Sequence, residues 1–274
     1  PRLAGIVAAS HLGIRPVPEM ISSGIAAIDS LAGGLPRGCL TEIFGPASSG
    51  RTTIVLAALA AATRRGEVCA VVDAGDALDP QSAAAAGIEL DRLLWVRCAE
   101  NPPQSRSTEK TKSKAQSRSQ HHDENGLEQL LRAADLLLES GGFGLIALDL
   151  CDLPPQTARR IPLTTWFRFR RAVEHTPTVL LVFERQSIAG SCSSLLIKLG
   201  AAKTEPTAIA CPELIEGRRK KTAHGPATED QKKPTHARLF TGLEITAEII
   251  RSRIDRKPAV SASATFTGKT AWAG

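Results

Sequence analysis

The stretch that decides the fold reads Glu42-Ile43-Phe44-Gly45-Pro46-Ala47-Ser48-Ser49-Gly50-Arg51-Thr52-Thr53. Residues 40–44 are mostly apolar and predict a buried strand, residues 45–50 form a glycine-bounded turn, and residues 54–62 predict a helix that faces this turn. This strand–loop–helix order is the context that the phosphate-binding pattern G-x-x-x-x-G-K-[ST] requires. The turn gathers backbone N–H groups at the positive end of a helix dipole, so the stretch predicts an anion-binding loop.

The loop departs from its pattern at Arg51, which stands where the pattern has a lysine. An arginine keeps the positive charge, but its planar fork does not replace a compact ammonium group in a tight loop. Three interpretations stay open. The turn is retained because the fold requires it, or it binds a nucleotide with slow or no turnover, or it belongs to a working ATPase.

Composition narrows the class of protein. The 274 residues carry a net charge of +6, which permits a nucleic-acid or acidic partner. The chain has no tyrosine and only 4% aromatic residues, so a base-stacking surface is not expected. Its six cysteines form no C-x-x-C pair, which argues against a zinc site and favours small buried thiols in a reducing cytoplasm. No apolar run reaches the roughly 18 residues of a membrane span and no export signal is recognised, so we expect a cytoplasmic protein with no membrane partner.

Further apolar runs predict the rest of the sheet. Residues 68–72, 93–96, 145–148 and 179–183 predict strands that alternate with helices. Helical periodicity is clear at residues 127–138 and at residues 164–175, where Trp166, Phe169 and Val173 fall on one face. Residues 239 and 243–250 predict late strands. This order is typical of an α/β fold, a mostly parallel twisted sheet with helices on both faces, followed by C-terminal antiparallel strands.

Two polar stretches interrupt this order. Residues 101–125 are rich in Ser, Gln, Lys and Arg and predict a disordered insertion, and residues 203–236 predict a second one. The second insertion contains Arg218-Arg219-Lys220-Lys221. A basic run of this kind is either a solvated loop or a contact for DNA or an acidic partner.

The recognisable motifs of the chain are Ile21-Ser22-Ser23-Gly24, Gly33-Gly34-Leu35-Pro36-Arg37-Gly38, residues 42–53, Asp73-Ala74-Gly75-Asp76-Ala77-Leu78-Asp79-Pro80, Leu145-Ile146-Ala147-Leu148-Asp149, and Leu180-Leu181-Val182-Phe183 with Gln186. This series gives the chain a resemblance to the core of the bacterial RecA recombinase. It is dense over residues 21–98, thinner to about residue 199 and faint at residues 243–253. It implies a RecA-like P-loop NTPase core over residues 21–274, preceded by a short N-terminal segment at residues 1–20. Such matches are specific for fold and much less specific for activity.

The resemblance implies ATP and Mg²⁺ as ligands. In that case Thr52 offers a hydroxyl to the ion, Asp149 holds it through water, and Asp79 accepts a hydrogen bond from the adenine amino group. Alternatively, Asp149 caps the turn that follows its strand. The positions that would surround the phosphates are Gly45, Pro46, Ala47, Ser48, Ser49, Gly50, Arg51, Thr52 and Thr53.

The chain departs from the family at functional positions. Arg51 replaces the lysine that contacts the phosphates, Gly75 stands where a glutamate activates the attacking water, and Ser82 stands where an aromatic ring stacks on adenine. Asp76 adjoins Gly75, but its side chain is expected on the other face of the strand end. Loss of a base alone lowers turnover about 10²–10⁴-fold, so we expect no ATPase activity or a very weak one. Replacing Arg51 with lysine and Gly75 with glutamate together is expected to restore hydrolysis.

The regions that bind DNA in the family are shortened here. Only one helix fits between Asp149 and Val179, and a short loop, residues 187–194, follows Gln186. On the helix, Arg168, Arg170 and Arg171 either bind phosphate backbones or form its solvated side. A filament-forming strand-exchange enzyme is therefore not expected, whereas contact with single-stranded DNA and self-association both stay open.

Three hypotheses about function follow. The first is a RecA-like accessory protein of DNA repair and the SOS response to DNA damage, similar to the ImuA-type proteins found with error-prone translesion polymerases. Its partners would be such a polymerase, the sliding clamp or RecA itself. The second is an ATP-dependent recombinase that binds single-stranded DNA, and the third is an SOS cell-division inhibitor, which rests on fold analogy alone. ATP turnover stimulated by single-stranded DNA separates the second from the other two.

Overall fold

The computed structural model describes residues 17–98, 112–201, 203–206, 240–254 and 262–269. The strands in these ranges are β1 (Met20–Ile21), β2 (Leu35–Pro36), β3 (Cys39–Phe44), β4 (Cys69–Asp73), β5 (Leu93–Arg97), β6 (Leu145–Asp149), β7 (Val179–Glu184), β8 (Leu195–Leu199), β9 (Lys203–Pro206), β10 (Phe240–Ser252) and β11 (Ser263–Lys269). The α-helices are α1 (Ala26–Ala32), α2 (Arg51–Arg64), α3 (Pro80–Ala85), α4 (Lys112–Ser140), α5 (Pro155–Ala158) and α6 (Leu163–Val173).

One sheet organises the described residues. Its nine strands follow the order β11-β10-β8-β3-β7-β6-β4-β5, with β9 paired to β10. The strands from β8 to β5 in this order are parallel to one another, whereas β10 is antiparallel to both β8 and β11. The predicted α/β fold, with a mostly parallel sheet and C-terminal antiparallel strands, is therefore confirmed.

Strand β7 shows why the central strands are apolar throughout. Successive side chains of a strand point to opposite faces of the sheet. Leu181 and Phe183 of β7 pack in the core that α2 covers, and Leu180 and Val182 pack in the core that α4 and α6 cover. All four side chains are fully buried. Both faces of the sheet carry helices, as predicted from the continuous apolar runs.

Helix α6 follows the predicted amphipathic pattern. Trp166, Phe169 and Val173 are fully buried, and the two aromatic rings meet edge to face with centroids 5.9 Å apart. On the outer side of the helix, Arg168 is exposed and its Nη2 lies 2.7 Å from an Asp135 carboxylate oxygen of α4. The helix therefore joins the core through one face and α4 through an ion pair.

The structure differs from the sequence-based expectation at α4. Residues 112–125 are helical, although residues 101–125 were expected to form a disordered insertion. Lys, Ala, Gln and Arg are good helix formers, so a polar segment can extend a neighbouring amphipathic helix at little cost. Residues 1–16, 99–111, 202, 207–239, 255–261 and 270–274 lie outside the described part, and they include the basic run at residues 218–221.

Two general features of the described residues bear on the class of protein. None of their helices combines the length and the apolar character that crossing a bilayer requires. No disulfide joins their cysteines, and burial raises the pKa of the Cys69 thiol to about 12 and that of Cys98 to about 11. These thiols are poor nucleophiles at neutral pH.

Candidate nucleotide-binding site

The predicted phosphate loop lies where four parallel strands end. In the sheet, Phe44 at the end of β3 is opposite Glu184 of β7, and Asp73 of β4 is opposite Asp149 of β6. The loops that follow β3, β4, β6 and β7 therefore meet at one edge of the sheet. In open α/β sheets, ligands bind outside the carboxyl ends of the strands.

The phosphate loop is built by backbone geometry. Gly50 precedes α2 with φ 84°, Ser48 has φ 57°, and the Gly45 N–H donates to the Glu184 carbonyl at 3.2 Å. No side chain in the described part of the chain caps the start of α2, and the first turn of this helix carries no acidic residue. The first N–H groups of α2 thus meet no side-chain acceptor and are placed for an anion. Thr52, in this first turn, is exposed.

Two side chains of the loop lack the partner that burial requires. Ser49 is fully buried and its Oγ makes no hydrogen bond within the described residues. One guanidinium nitrogen of Arg51, Nη1, is likewise buried without an acceptor there. Buried polar groups are rarely left unpaired, and phosphate oxygens accept from both hydroxyl and guanidinium donors. The residues at positions 45–53 therefore fit an anionic phosphate group.

The C-terminal strands support the loop from the core side. A Cβ atom on Gly50 would lie 2.2 Å from Ile245 Cδ1 of β10, and one on Gly268 of β11 would lie 3.3 Å from Thr53 Cγ2. Ile245 is fully buried. Gly50 is therefore required both by its positive φ and by the close packing of Ile245. Sequence reasoning missed this contact because residues 50 and 245 are far apart in the chain.

Asp149, one of the two predicted magnesium ligands, caps a turn. Its Oδ1 accepts the Cys151 N–H at 2.9 Å, as the alternative interpretation of this residue predicts. Burial raises the pKa of Asp149, and the nearby charges of Asp73 and Asp152 raise it further. The described residues contain no group of three or more His, Cys, Asp or Glu side chains that could hold a metal ion. A shared ion between Thr52 and Asp149 stays a prediction, with phosphate oxygens and water as the remaining ligands.

Asp73 is a structural residue that the sequence reasoning did not single out. Its buried carboxylate accepts the N–H of Gly75 at 3.0 Å, the N–H of Leu78 at 2.9 Å and the indole N–H of Trp95 at 3.3 Å. These hydrogen bonds fix the turn after β4. The signal in the sequence was an aspartate at the last position of a buried strand, two residues before a glycine.

Asp76 is engaged away from the phosphate loop. Its carboxylate accepts two hydrogen bonds from Arg97 of β5, and the pKa of Asp76 is lowered by this pairing. The Arg97 guanidinium also lies over the Trp95 ring, 5.0 Å from its centroid. Asp76 is therefore held at the edge strand of the sheet and is not placed to replace the glutamate expected at position 75.

Asp79, the predicted adenine contact, is the N-cap of α3. It accepts the Ser82 N–H at 2.9 Å and the Ser82 hydroxyl at 2.6 Å. These hydrogen bonds, the hydroxyl one foremost, hold the pKa of Asp79 below its usual range. Asp79 and Ser82, the two residues expected beside adenine, are therefore hydrogen-bonded to each other. The contact of Asp79 with adenine stays a prediction.

The short loop at residues 187–194 is fixed on two sides. Glu42 of β3 accepts the N–H groups of Ile188 and Ala189 at 2.6 and 3.1 Å. Arg251 of β10 donates to the Ser193 hydroxyl at 2.6 Å, and Arg253, which follows β10, donates to the Ser191 carbonyl at 2.8 Å. The loop is therefore hydrogen-bonded to charged side chains on two sides.

The sequence is similar to curated recombination proteins over part of its length. The RecA N-terminal domain family matches residues 10–106. The Protein RecA of Salinispora tropica is 38% identical over 143 residues, which cover 51% of this chain and 34% of that protein. The Protein RecA of Nostoc punctiforme is 54% identical over 77 residues, which cover 28% of this chain and 21% of that protein. The chain spans about a third or less of the length of these relatives.

A solved structure extends the similarity to the whole fold. The crystal structure of the RadB recombinase superposes with a TM-score of 0.52 and covers 90% of this chain and 96% of that chain. Its sequence identity is 16%, so this likeness bears on the fold alone. The matched N-terminal segment and the shared fold together support a RecA-like protein.

Proposed function

We propose that this chain is a RecA-like accessory protein of DNA recombination or repair that binds ATP with Mg²⁺, turns it over slowly or not at all, and acts through protein partners. One observation carries the nucleotide-binding part. Among the residues that the structure describes, Ser49 Oγ and Arg51 Nη1 are buried without partners beside the uncapped start of α2. A triphosphate supplies the acceptors that both side chains lack, and its charge favours the positive end of the helix dipole.

The residues that would hold the nucleotide have separate tasks. The N–H groups of the loop and of the first turn of α2 contact the phosphates, and Arg51 adds a positive charge. Mg²⁺ would be held by the Thr52 hydroxyl and, through water, by Asp149. When bound, the ion neutralises charge on the phosphate oxygens.

Slow turnover is supported by the residues around position 75. Gly75 offers no carboxylate, and the carboxylates of Asp73 and Asp76 are already bound by N–H groups of the turn and by Arg97. The guanidinium of Arg51 replaces an ammonium group at the phosphates. Because enzymatic phosphoryl transfer depends on positioning and on charge stabilisation, both departures lower the rate of hydrolysis.

An accessory role is favoured over strand exchange by the loop at residues 187–194. Glu42, Arg251 and Arg253 hydrogen-bond to this loop, so a change of its conformation on contact with DNA would have to break these bonds. Arg168 on α6 is paired with Asp135, which reduces the positive charge of that surface. The proposed partners are an error-prone polymerase, the sliding clamp or RecA, as for the ImuA-type proteins.

Nucleotide binding is tested by thermal melting of the protein with ATP and Mg²⁺. A ligand that binds only the folded state raises Tm, and at 100 times Kd the added stability is about 2.7 kcal/mol. The Arg51→Ala variant is expected to lose most of this shift. The matched control is Arg64→Ala at the opposite end of α2, which is expected to keep it. An unchanged Tm of the wild-type protein at millimolar ATP would contradict the proposal.

The accessory role is tested by ATP hydrolysis with and without single-stranded DNA. We expect a low rate that DNA does not stimulate. Strong stimulation would instead support an ATP-dependent recombinase. Binding assays with a purified translesion polymerase, the sliding clamp and RecA then identify the partner, and the cell-division protein FtsZ serves as the comparison for a division inhibitor.

A further inference from the structure

Gly75 has no conformational need to be glycine. The φ of Gly75 is not positive, in contrast to the φ of Gly50 and of Gly24. The reason for a glycine is space. A Cβ atom at position 75 would lie 2.4 Å from Asp152 Oδ2, 2.5 Å from Asp152 Cβ and 2.9 Å from Asp152 Cγ. The Asp152 side chain thus fills the volume that any side chain at position 75 would need.

The place of Asp152 in the fold is also informative. It lies three residues after Asp149, in the turn that follows β6, and it is exposed. The charge of Asp152 raises the pKa of both Asp149 and the Cys151 thiol, whereas the charge of Arg51 lowers the pKa of that same thiol. Asp152 and Arg51 therefore both lie within electrostatic range of Cys151, at the phosphate end of the sheet.

Asp152 differs from its acidic neighbours because, within the described residues, its side chain makes no hydrogen bond or ion pair. The other carboxyl groups at these strand ends are bound by N–H groups or by an arginine, namely those of Glu42, Asp73, Asp76, Asp79, Asp149 and Glu184. A carboxylate without a hydrogen-bond partner is free to orient a water molecule, which a carboxylate saturated with donors does less well.

We propose that Asp152 is the carboxylate that orients and activates the attacking water in the slow hydrolysis of bound ATP, in the space that Gly75 leaves. In this step the water oxygen bonds to the terminal phosphorus, and the bond between that phosphorus and the bridging oxygen breaks. ADP leaves, Asp152 accepts one proton of the water, and this proton then passes to the released phosphate. The proposal rests on the proposed nucleotide binding, and it transfers a catalytic task from the turn after β4 to the turn after β6.

The first test compares Asp152→Asn with the wild-type protein in single-turnover hydrolysis and in ATP–Mg²⁺ thermal melting. We expect Asp152→Asn to keep the ATP-induced Tm shift and to lose about 10²-fold or more of the hydrolysis rate. If Asp152 contributed only to ATP binding, Asp152→Asn would change the ATP-induced Tm shift and not the hydrolysis rate at saturating ATP. The matched control is Asp76→Asn, a carboxylate of the turn after β4 that Arg97 holds elsewhere, and its rate should stay within about twofold.

The outcomes separate the two proposals. An Asp152→Asn rate equal to that of the wild-type protein overturns the role of Asp152, and so does a wild-type rate that equals the protein-free background while ATP still raises Tm. Both results leave nucleotide binding intact. No effect of ATP on Tm overturns nucleotide binding, and with it the catalytic role of Asp152.

A second test needs no nucleotide. If Asp152 fills the space at position 75, Gly75→Ala should lower the Tm of the wild-type protein by about 3–8 °C through overpacking. The same substitution in an Asp152→Gly background should lower Tm much less, because the side chain that collides with the new Cβ atom is removed. If Gly75→Ala lowered Tm equally in the two backgrounds, Asp152 would not occupy this space and the inference would be overturned.

Discussion

Glu42 and Glu184 both accept the backbone N–H of Ile188, at 2.6 and 3.1 Å, from strands that lie side by side in the sheet. Both side chains are buried. Burial and the hydrogen bond to Glu42 raise the pKa of Glu184 to about 11, so the pair holds a proton at neutral pH. A shared proton lets two acidic side chains remain together beneath the loop at residues 187–194.

This pair predicts a pH-dependent stability. The pKa of Glu184 is raised on folding from its ordinary value of 4.5, so its contribution is complete below that value and is lost as pH rises towards 11. The loss is at most about 1.4 kcal/mol per pH unit for one proton. Glu184→Gln mimics the protonated side chain and should flatten this slope between pH 5 and pH 9. Urea unfolding of both proteins at several pH values measures it.

The control for this experiment is Glu128→Gln on the surface of α4. Glu128 is exposed and forms an i,i+4 pair with Arg132. Such a pair contributes about 0.3–0.5 kcal/mol, so the slope of stability with pH should stay that of the wild-type protein. Equal slopes for Glu184→Gln and the wild-type protein would mean that Glu184 is ionised in the folded state.

The orphan hydroxyl of Ser49 predicts opposite effects on stability and on binding. Ser49→Ala removes a buried donor that has no partner within the described residues, so the ligand-free protein should gain about 1 kcal/mol. The same variant would lose the proposed phosphate contact, so its ATP-induced Tm shift should decrease. Thermal melting with and without ATP–Mg²⁺ measures both, with the exposed Ser191→Ala as control. A stability loss without ATP would show that the hydroxyl already has a partner.

Restoring the family residues at positions 51 and 75 should fail unless Asp152 changes as well. The pair Arg51→Lys with Gly75→Glu was expected from sequence to restore hydrolysis, but a glutamate at position 75 collides with Asp152. We therefore expect hydrolysis well above the wild-type rate only from the triple variant that adds Asp152→Ala. Single-turnover assays of the double and triple variants decide this. A highly active double variant would contradict the collision.

The core of α6 gives a prediction about stability alone. Trp166→Ala should cost about 3–5 kcal/mol, because the side chain is fully buried against Phe169. Trp166→Phe should cost less, about 1–2 kcal/mol, since the indole N–H has no partner in the described part of the chain. The exposed Phe167→Ala on the same helix is the control and should change stability by less than about 1 kcal/mol. Urea denaturation provides the comparison.

The features of the fold that depend on short-range sequence patterns could be predicted from the sequence. The strands from β3 to β7 and the buried face of α6 followed from apolar runs and helical spacing, and the turn between β3 and α2 followed from its glycines. Strand β11 was not predicted, because its apolar side chains are few and its pairing depends on β10. The relationship between Gly75 and Asp152 was also missed. It joins two turns that are 77 positions apart, and only the parallel pairing of β4 with β6 brings them together.

The packing of Ile245 against Gly50 has a practical consequence for experiments on the predicted phosphate loop. The segment with the clearest family match, residues 10–106, contains the whole loop but not the residue that packs beneath Gly50. In a fragment that ends at residue 106, Gly50 would lose its packing against Ile245. Boundaries for expression that include β10 and β11 keep the residues that pack against Gly50 and Thr53.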